Sequence, residues 1–280
     1  MRQVQITDIT KTVAELCIEA NIVTDAKICS AIKMARDIET VPRTKAALDM
    51  LVENMTVAEI ERMPTCQDTG MVVVFVEMGQ EVHVVGGDMN EAIHEGVRQG
   101  YKEGYFRASV VNDPIERINT KDNTPAIIYY QVVPGDKFKI TVMPKGFGSE
   151  NKGAVKMLKP SDGIKGIEEF VIETVIKAGA DACPPIIVGI GVGGTMDKAA
   201  LMAKEALLLD LDHINPDDYW RGYEQKWLDD INALGIGTAG LRGVTTALGL
   251  KILSYPTHIA GLPVAVNIGC HVTRHKSAWL

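Results

Sequence analysis

An apolar run directly behind a short polar loop is the feature that most constrains the fold. Residues 71–76 contain four valines beside a methionine and a phenylalanine, and such a β-branched run is typical of a buried strand. Pro64 and Gly70 bound the preceding loop, because Pro and Gly mark turns. A thiol, an amide and a carboxylate stand together in this loop at residues 66–68. The loop therefore enters a core strand, where a rigid scaffold can hold reactive groups.

A length of 280 residues allows one large domain or two smaller ones. We expect a single soluble domain over residues 1–280, with a helical region at 1–60 packed on it. Hydrophobic residues make up 46% and charged residues 23% of the chain, which is ordinary for a globular protein. The net charge of −7 argues against a nucleic-acid binder, which normally carries a basic face. No apolar run approaches the roughly 20 residues that span a bilayer, so no membrane contact is expected.

The five cysteines are scattered through the chain, which is far longer than a disulfide-stapled mini-domain. Residues 1–5 show no signal-peptide core and lead directly into a helical pattern. We therefore expect a reducing, cytoplasmic compartment with reduced or metal-bound thiols. Cys17 and Cys29 fall on apolar helical stripes, which predicts small buried side chains.

Apolar residues recur at helical spacing through the first sixty residues, so this region is expected to be all-helical. The pattern predicts a helix over 6–20, a second that Thr24 caps, a third that begins at Pro42, and a short fourth that Thr56 caps.

The remainder of the chain alternates between strand and helix patterns. Strands are predicted at 72–78, 81–85, 126–133, 137–143, 186–188 and 251–255. Helices are predicted at 89–99, from 163 to an end at 179–182, at 197–209 and at 214–233. Pro134, Gly135 and Asp136 separate two of these strands and predict a hairpin. The fold class is therefore mixed α and β: a helical N-terminal region, then a hairpin-containing β-sheet surrounded by helices.

A glycine-rich turn follows the strand at 186–188. Residues 189–194 match the G-x-G-x-x-G pattern of dinucleotide-binding folds, and Asp210 lies about where those folds place a ribose-binding acid. The motif comes late, however, and follows Cys183 and two prolines rather than an N-terminal βαβ unit. We favour a tight strand-to-helix turn that presents backbone N–H groups to an anion, and keep a nicotinamide dehydrogenase as an alternative.

Three further cysteines share a different context. Cys66, Cys183 and Cys270 each lie at a strand edge or turn beside Gly or Pro. They are too far apart in the sequence for a local zinc ribbon or a compact ferredoxin motif, so the fold must assemble any shared site. Three thiolates suit zinc with an open position, redox chemistry, or three irons of a [4Fe–4S] cluster. Spacing alone leaves these open, together with three unrelated thiols or a non-catalytic metal–thiolate scaffold.

A family resemblance distinguishes among these alternatives. The ordered set of residues 66–70, 191–195 and 261–267 with Cys270 and His271 resembles the iron–sulfur class I fumarases and L-tartrate dehydratases. The resemblance covers essentially the whole chain and corresponds to the α subunit. It implies a [4Fe–4S] cluster held by Cys66, Cys183 and Cys270. It also implies a separate β subunit, in an α2β2 assembly, that supplies the principal base and further substrate contacts.

The resemblance also assigns substrate-binding residues for a small dicarboxylate. Gln67 and Asp68 line the pocket beside the cluster, Asp68 takes part in catalysis chiefly by positioning, and the loop around Gly148 contributes backbone contacts. Arg107 is the first candidate for a carboxylate partner, because a guanidinium can pair with it through two hydrogen bonds. The secondary candidates are His258, His271, Lys145 and Lys152.

Three thiolate ligands leave one cluster iron open, where it acts as a Lewis acid on a hydroxyl leaving group. The resemblance therefore implies a hydro-lyase. Fumarate hydratase, which converts fumarate to L-malate in the citric acid cycle, is expected first, and L(+)-tartrate dehydratase is the close alternative.

Overall fold

A computed structural model describes residues 2–280 and divides them into two compact units. The first unit comprises the residues up to Thr24, Met55–Phe147 and Arg274–Leu280; the second comprises Asp25–Asn54 and Gly148–Thr273. The helices are α1 (Ile6–Ile22), α2 (Ala26–Ile38), α3 (Pro42–Glu61), α4 (Met89–Glu103), α5 (Phe147–Glu150), α6 (Gly163–Ala178), α7 (Met196–Glu205) and α8 (Asp218–Ala233). The strands are β1 (Arg2–Gln5), β2 (Met71–Gly79), β3 (Val82–Val85), β4 (Ile127–Val133), β5 (Phe138–Lys145), β6 (Ala154–Leu158), β7 (Ile186–Gly193), β8 (Ala247–Tyr255), β9 (Leu262–Gly269) and β10 (Lys276–Trp279).

These elements confirm the mixed α and β class with a helical N-terminal region. No helix among residues 2–280 is long and apolar enough to cross a membrane.

The first unit is built on a four-stranded sheet in the order β10-β5-β2-β4. Its core packs the sheet against α1 and α4, which cross closely because two glycines of α4 lie at the contact. A Cβ atom at Gly96 would lie 2.6 Å from the carbonyl oxygen of Thr10, and one at Gly100 would lie 2.7 Å from that of Ala14. Small residues therefore permit the helix contact.

The predicted hairpin across residues 134–136 is wrong, although both strands exist. β2 lies between them, parallel to β4 and antiparallel to β5. The physical reason is burial: the valines of β2 are at most 3% exposed, whereas Tyr130 and Val132 of β4 are 43% and 59% exposed. The most apolar strand takes the central position, and β4 takes the edge.

The N-terminal region differs from its prediction in three places. Arg2–Gln5 is not the start of a helical pattern but a strand that pairs in parallel with β3. Asp25, not Thr24, caps α2, because its carboxylate accepts from the amide of Lys27 at 2.8 Å. Thr56 caps no fourth helix, since α3 continues through it to Glu61.

The second unit is built on a sheet in the order β6-β9-β7-β8, in which β7 is parallel to β8 and antiparallel to β9. Helix α7 packs directly on the glycines of β7. A Cβ atom at Gly189 would lie 2.2 Å from the carbonyl oxygen of Ala203, and one at Gly191 would lie 2.1 Å from that of Ala199. The glycine run therefore serves close helix-to-strand packing.

The turn between β7 and α7 confirms the tight strand-to-helix connection. Gly193 and Gly194 have φ of +91° and +67°, which side chains disfavour. Asp210, the residue considered for ribose binding, instead pairs with Lys27 at 2.6 Å, and Asp212 shares the same ammonium group. The packing accounts for these glycines without a nucleotide.

The packing of α7 on β7 generates a stability prediction. Gly191→Ala places a methyl group against backbone, so we expect it to lower the free energy of unfolding by about 1–3 kcal/mol. Gly222→Ala is the matched control, since nothing lies within 4 Å of a Cβ atom there and Ala favours a helix interior by about 1 kcal/mol. Urea unfolding measures both, and equal effects of the same sign would contradict the packing interpretation.

Candidate active site

The loop that carries Cys66 is fixed at its start by α1 of the first unit. The backbone amide and hydroxyl of Thr65 donate to the carbonyl of Asn21 at 2.9 and 3.1 Å. The Asn21 side-chain amide in turn donates to the carbonyl of Cys17 at 2.9 Å. Because Thr65 and Asn21 are buried, water cannot replace these hydrogen bonds, and the chain just before Cys66 is held firmly.

The end of the same loop is fixed by buried side chains from α4 and the segment after it. The hydroxyl of Tyr101 donates to the carbonyl of Thr69 at 2.5 Å, and the amide of Asn123 donates to that of Gly70 at 3.1 Å. Burial raises the pKa of Tyr101 far above its ordinary value, which keeps its hydroxyl a donor. The loop is therefore anchored at both ends.

Asp68 is half-buried, and both of its carboxylate oxygens are occupied by backbone donors. Oδ1 accepts from the amide of Gly70 at 3.0 Å, and Oδ2 accepts from the amide of Phe147 at 2.9 Å. Its own backbone carbonyl accepts from a guanidinium nitrogen, Nη2 of Arg274. The orientation of the Asp68 carboxylate is thus set from three directions.

The predicted substrate-binding residues of this unit lie on adjoining segments. Gln67 and Arg107 are exposed. The hydroxyl of Thr69 donates to the carbonyl of Arg107 at 2.9 Å, which brings the Arg107 segment beside the loop of Cys66 and Asp68. The structure therefore brings these four residues together, and their roles in binding and catalysis remain predictions.

In the second unit, Cys183 and Cys270 lie on adjoining turns. Cys183 has left-handed backbone angles of φ 55° and ψ 64°, a conformation that costs a non-glycine residue about 1–3 kcal/mol and concentrates at functional sites. The backbone amide of His271 donates to the carbonyl of Cys183 at 3.3 Å, and its ring Nδ1 lies 3.0 Å from the same oxygen. The residue after Cys270 is therefore joined to Cys183 directly.

The Gly148 loop meets the same turn. A Cβ atom at Gly148 would lie 3.7 Å from the carbonyl oxygen of Asp181, two residues before Cys183. Lys152 pairs with the Asp181 carboxylate at 2.7 Å, and this hydrogen bond holds the pKa of Asp181 below its ordinary value. Predicted substrate loop and predicted cluster ligands thus adjoin within the second unit.

The remaining candidates, His258 and Lys145, have different environments. His258 is exposed and accepts from the amide of Ala260 at 3.2 Å, as expected of a residue that stabilises its own turn. Lys145 is 4% exposed, so it is a buried lysine at the end of β5 and not a solvated loop residue.

The five cysteines differ in environment largely as the sequence predicts. Cys17 is fully buried, and burial raises its pKa well above the ordinary thiol value. Cys29 is only half-buried, so the expectation of a buried side chain fails there. Cys66 and Cys270 are half-buried and Cys183 is exposed. The three cysteines of the predicted cluster are therefore accessible and lie on turns. Cys29 is also partly accessible, but it lies on α2.

The three turn cysteines have the residue type and the exposure that metal-binding thiolates require. Among residues 2–280, no group of three or more His, Cys, Asp or Glu side chains converges to hold a metal ion. A [4Fe–4S] cluster demands cysteine thiolates that can reach its irons. Partly exposed thiols on turns suit that demand, whereas the buried Cys17 does not. The cluster stays a prediction.

Sequence reasoning missed Arg274, Tyr101 and Asn123, which hold the Cys66 loop. Arg274 offered the clearest signal, because it lies four residues after Cys270 and arginine is rarely buried without a specific partner. Tyr101 and Asn123 offered none, since their contacts depend on tertiary structure.

The environments of the thiols predict their reactivity. In the metal-free folded chain at pH 8, we expect a disulfide reagent to modify Cys183 first and Cys17 only after unfolding in urea, because burial both raises the thiol pKa and blocks access. Peptide mapping by mass spectrometry identifies the modified residue. If Cys17 were modified as fast as Cys183 in the folded chain, Cys17 would not be buried in the core.

Comparison with known proteins identifies the family. The family model described as fumarate hydratase (Fumerase) matches residues 10–279. A protein of Methanocaldococcus jannaschii named "Putative L(+)-tartrate dehydratase subunit alpha" is 40% identical over 272 residues, which cover 95% of each chain. The L(+)-tartrate dehydratase subunit alpha of Escherichia coli O157:H7 is 30% identical over 254 residues, and that of strain K12 is 29% identical over 251; in both cases 88% of this chain and 82% of the relative are covered. These matches confirm the resemblance seen in the sequence: the chain belongs to the fumarate hydratase family.

Proposed function

We propose that this chain is the α subunit of an iron–sulfur hydro-lyase that dehydrates L(+)-tartrate. The observation that carries the proposal is the match, over 95% of both chains, to a relative named "Putative L(+)-tartrate dehydratase subunit alpha". The sequence favoured fumarate hydration and kept tartrate dehydration as the alternative. The names of the relatives favour the alternative.

Cys66, Cys183 and Cys270 would hold a [4Fe–4S] cluster. The proposal is supported by the accessible turns on which all three lie and by the contact of His271 with the carbonyl of Cys183. When bound, the cluster supplies a Lewis acid for the departing hydroxyl group. No electron transfer is required, so the proposal needs no redox partner.

The residues of the chain would bind and orient a dicarboxylate. The exposed guanidinium of Arg107 suits bidentate pairing with a carboxylate, and the exposed amide of Gln67 adds a hydrogen-bond donor. By the family resemblance, the loop around Gly148 would contribute backbone contacts. Asp68, whose carboxylate is fixed by two backbone amides, is preorganised to orient the substrate during proton transfer.

The reaction breaks one C–O bond and one C–H bond on neighbouring carbons. Hydroxide and a proton leave as water, and the enol product rearranges to oxaloacetate. A base must take the proton from carbon. We propose that a separate β subunit supplies this base. The relatives are named as α subunits, which supports a β partner, and the family resemblance implies the base and an α2β2 assembly.

Fumarate hydration is the second candidate, and the description of the matching family supports it. It uses the same groups, because fumarate and malate are dicarboxylates related by the same loss of water.

The substrate prediction is tested with the α and β chains co-expressed and purified without oxygen. We expect L(+)-tartrate to yield oxaloacetate, whose formation is followed by its enzymatic reduction with NADH. Malate and fumarate should react more slowly. Faster interconversion of fumarate and malate would favour the second candidate instead, and inactivity towards all three would reject both. Full activity of the α chain alone would contradict the divided site.

The cluster prediction is tested in the same anaerobic preparation. We expect roughly three to four irons per α chain and broad visible absorbance, as for an iron–sulfur protein with thiolate ligands. Cys183→Ser should lose both signals, because it removes one of the three ligands. Cys17→Ser is the matched control and should keep them. Stoichiometric zinc in place of iron would contradict the cluster prediction. Equal behaviour of the two variants would contradict the assignment of Cys183 as a ligand and Cys17 as a buried core residue.

A further inference from the structure

We propose that Arg274 is a positioning residue that fixes the Asp68 carboxylate through the backbone of Asp68. The contact between Arg274 and Asp68 lies entirely within the first unit. The effect of this contact on catalysis rests on the proposed function.

Arg274 is an unusual cation for a protein interior. Only 6% of its surface is exposed, and it has no ion pair among residues 2–280. Its Nη2 atom donates to the backbone carbonyl of Asp68, while its Nε has no hydrogen-bond partner among those residues. A buried charge is unfavourable unless polar groups compensate it. The contact with Asp68 is therefore the main polar interaction that Arg274 makes within the described chain.

The contact controls the peptide group between Asp68 and Thr69. Arg274 holds the carbonyl of Asp68, and Tyr101 holds the carbonyl of Thr69 at 2.5 Å. With two successive carbonyls fixed by buried donors, the backbone at Asp68 cannot rotate without losing a hydrogen bond in a dry environment. Arg274 thereby restricts the rotation that would move the Asp68 side chain.

The position of the Asp68 side-chain carboxylate depends on that restriction. This carboxylate accepts a hydrogen bond from the backbone amide of Phe147 at 2.9 Å and another from the backbone amide of Gly70 at 3.0 Å. A small rotation of the backbone would lengthen the bond to Phe147 first, because that amide belongs to a different segment. Since a displacement of about 1 Å can cost 100-fold in rate, a residue that holds Asp68 acts on catalysis without touching the substrate.

The test compares Arg274→Gln and Arg274→Lys in the α–β complex by hydrogen–deuterium exchange. The amide hydrogens of Gly70 and Phe147 report directly on the Asp68 carboxylate, because both donate to it. We expect Arg274→Gln to raise their exchange about tenfold and Arg274→Lys, which keeps the charge but lacks the planar fork, to raise it less. Should Arg274→Gln fail to fold, Arg274→Lys carries the comparison alone.

Arg98→Lys is the matched control. Arg98 also lies in the first unit, but it pairs with Glu91 and Glu95 on its own helix. The Arg98→Lys variant should leave the exchange of the Gly70 and Phe147 amide hydrogens unchanged. Unchanged exchange in both Arg274 variants, or the same rise in Arg98→Lys, would overturn the positioning role.

Kinetics separate this inference from the proposed function. In an active complex, we expect Arg274→Lys to lower kcat about tenfold or more and to change KM less, because only Asp68 among the substrate-binding residues is displaced. Raised exchange with unchanged kcat would overturn the consequence for catalysis. If the unaltered complex dehydrates neither tartrate nor malate, the proposed function fails, while the exchange data still decide the role of Arg274.

Discussion

The pairing of Met71 with Lys145 is the constraint on which the candidate site of the first unit depends. These residues begin β2 and end β5, and their register places the loop before β2 beside the segment after β5. Gly70 makes the approach possible, because its φ is +75° and a Cβ atom there would lie 2.7 Å from the backbone of Lys145. The reach of Asp68 to the amide of Phe147 follows from this register, since the two segments leave the sheet at the same edge.

The same geometry recurs in the second unit. β7 and β9 are antiparallel, and Ile187 pairs with Gly269. Cys183 comes just before β7 and Cys270 just after β9, so the antiparallel pairing brings both cysteines to one edge of the sheet. In each unit, residues far apart in the sequence meet because one strand begins where its antiparallel neighbour ends. Backbone hydrogen bonds thus determine which side chains can share a site.

This principle explains how much of the molecule the sequence predicts. Local patterns identify β2, β5 and most helices, and they identify turns beside Cys66, Cys183 and Cys270, because Gly, Pro and β-branched residues act locally. Strand order is different. The turn at residues 134–136 suggested a hairpin, yet β2 pairs between the two strands because burial of its valines outweighs the short connection. Arg274 escaped prediction for the same reason, since its contact with Asp68 exists only once the C-terminal segment packs on the first unit.

The choice between tartrate and malate depends on one hydroxyl group, and discrimination by a hydroxyl is asymmetric. A site built to hydrogen-bond that hydroxyl rejects a substrate lacking it by a factor of about 10⁴–10⁵, because buried polar groups are left unpaired. A site without such groups excludes the extra hydroxyl much less, by a factor of about 10². A tartrate enzyme should therefore be nearly inert towards malate, whereas a fumarase should retain measurable activity towards tartrate. The ratio of the two rates is consequently more informative than either rate alone, and it measures whether the assembled site contains a partner for the second hydroxyl.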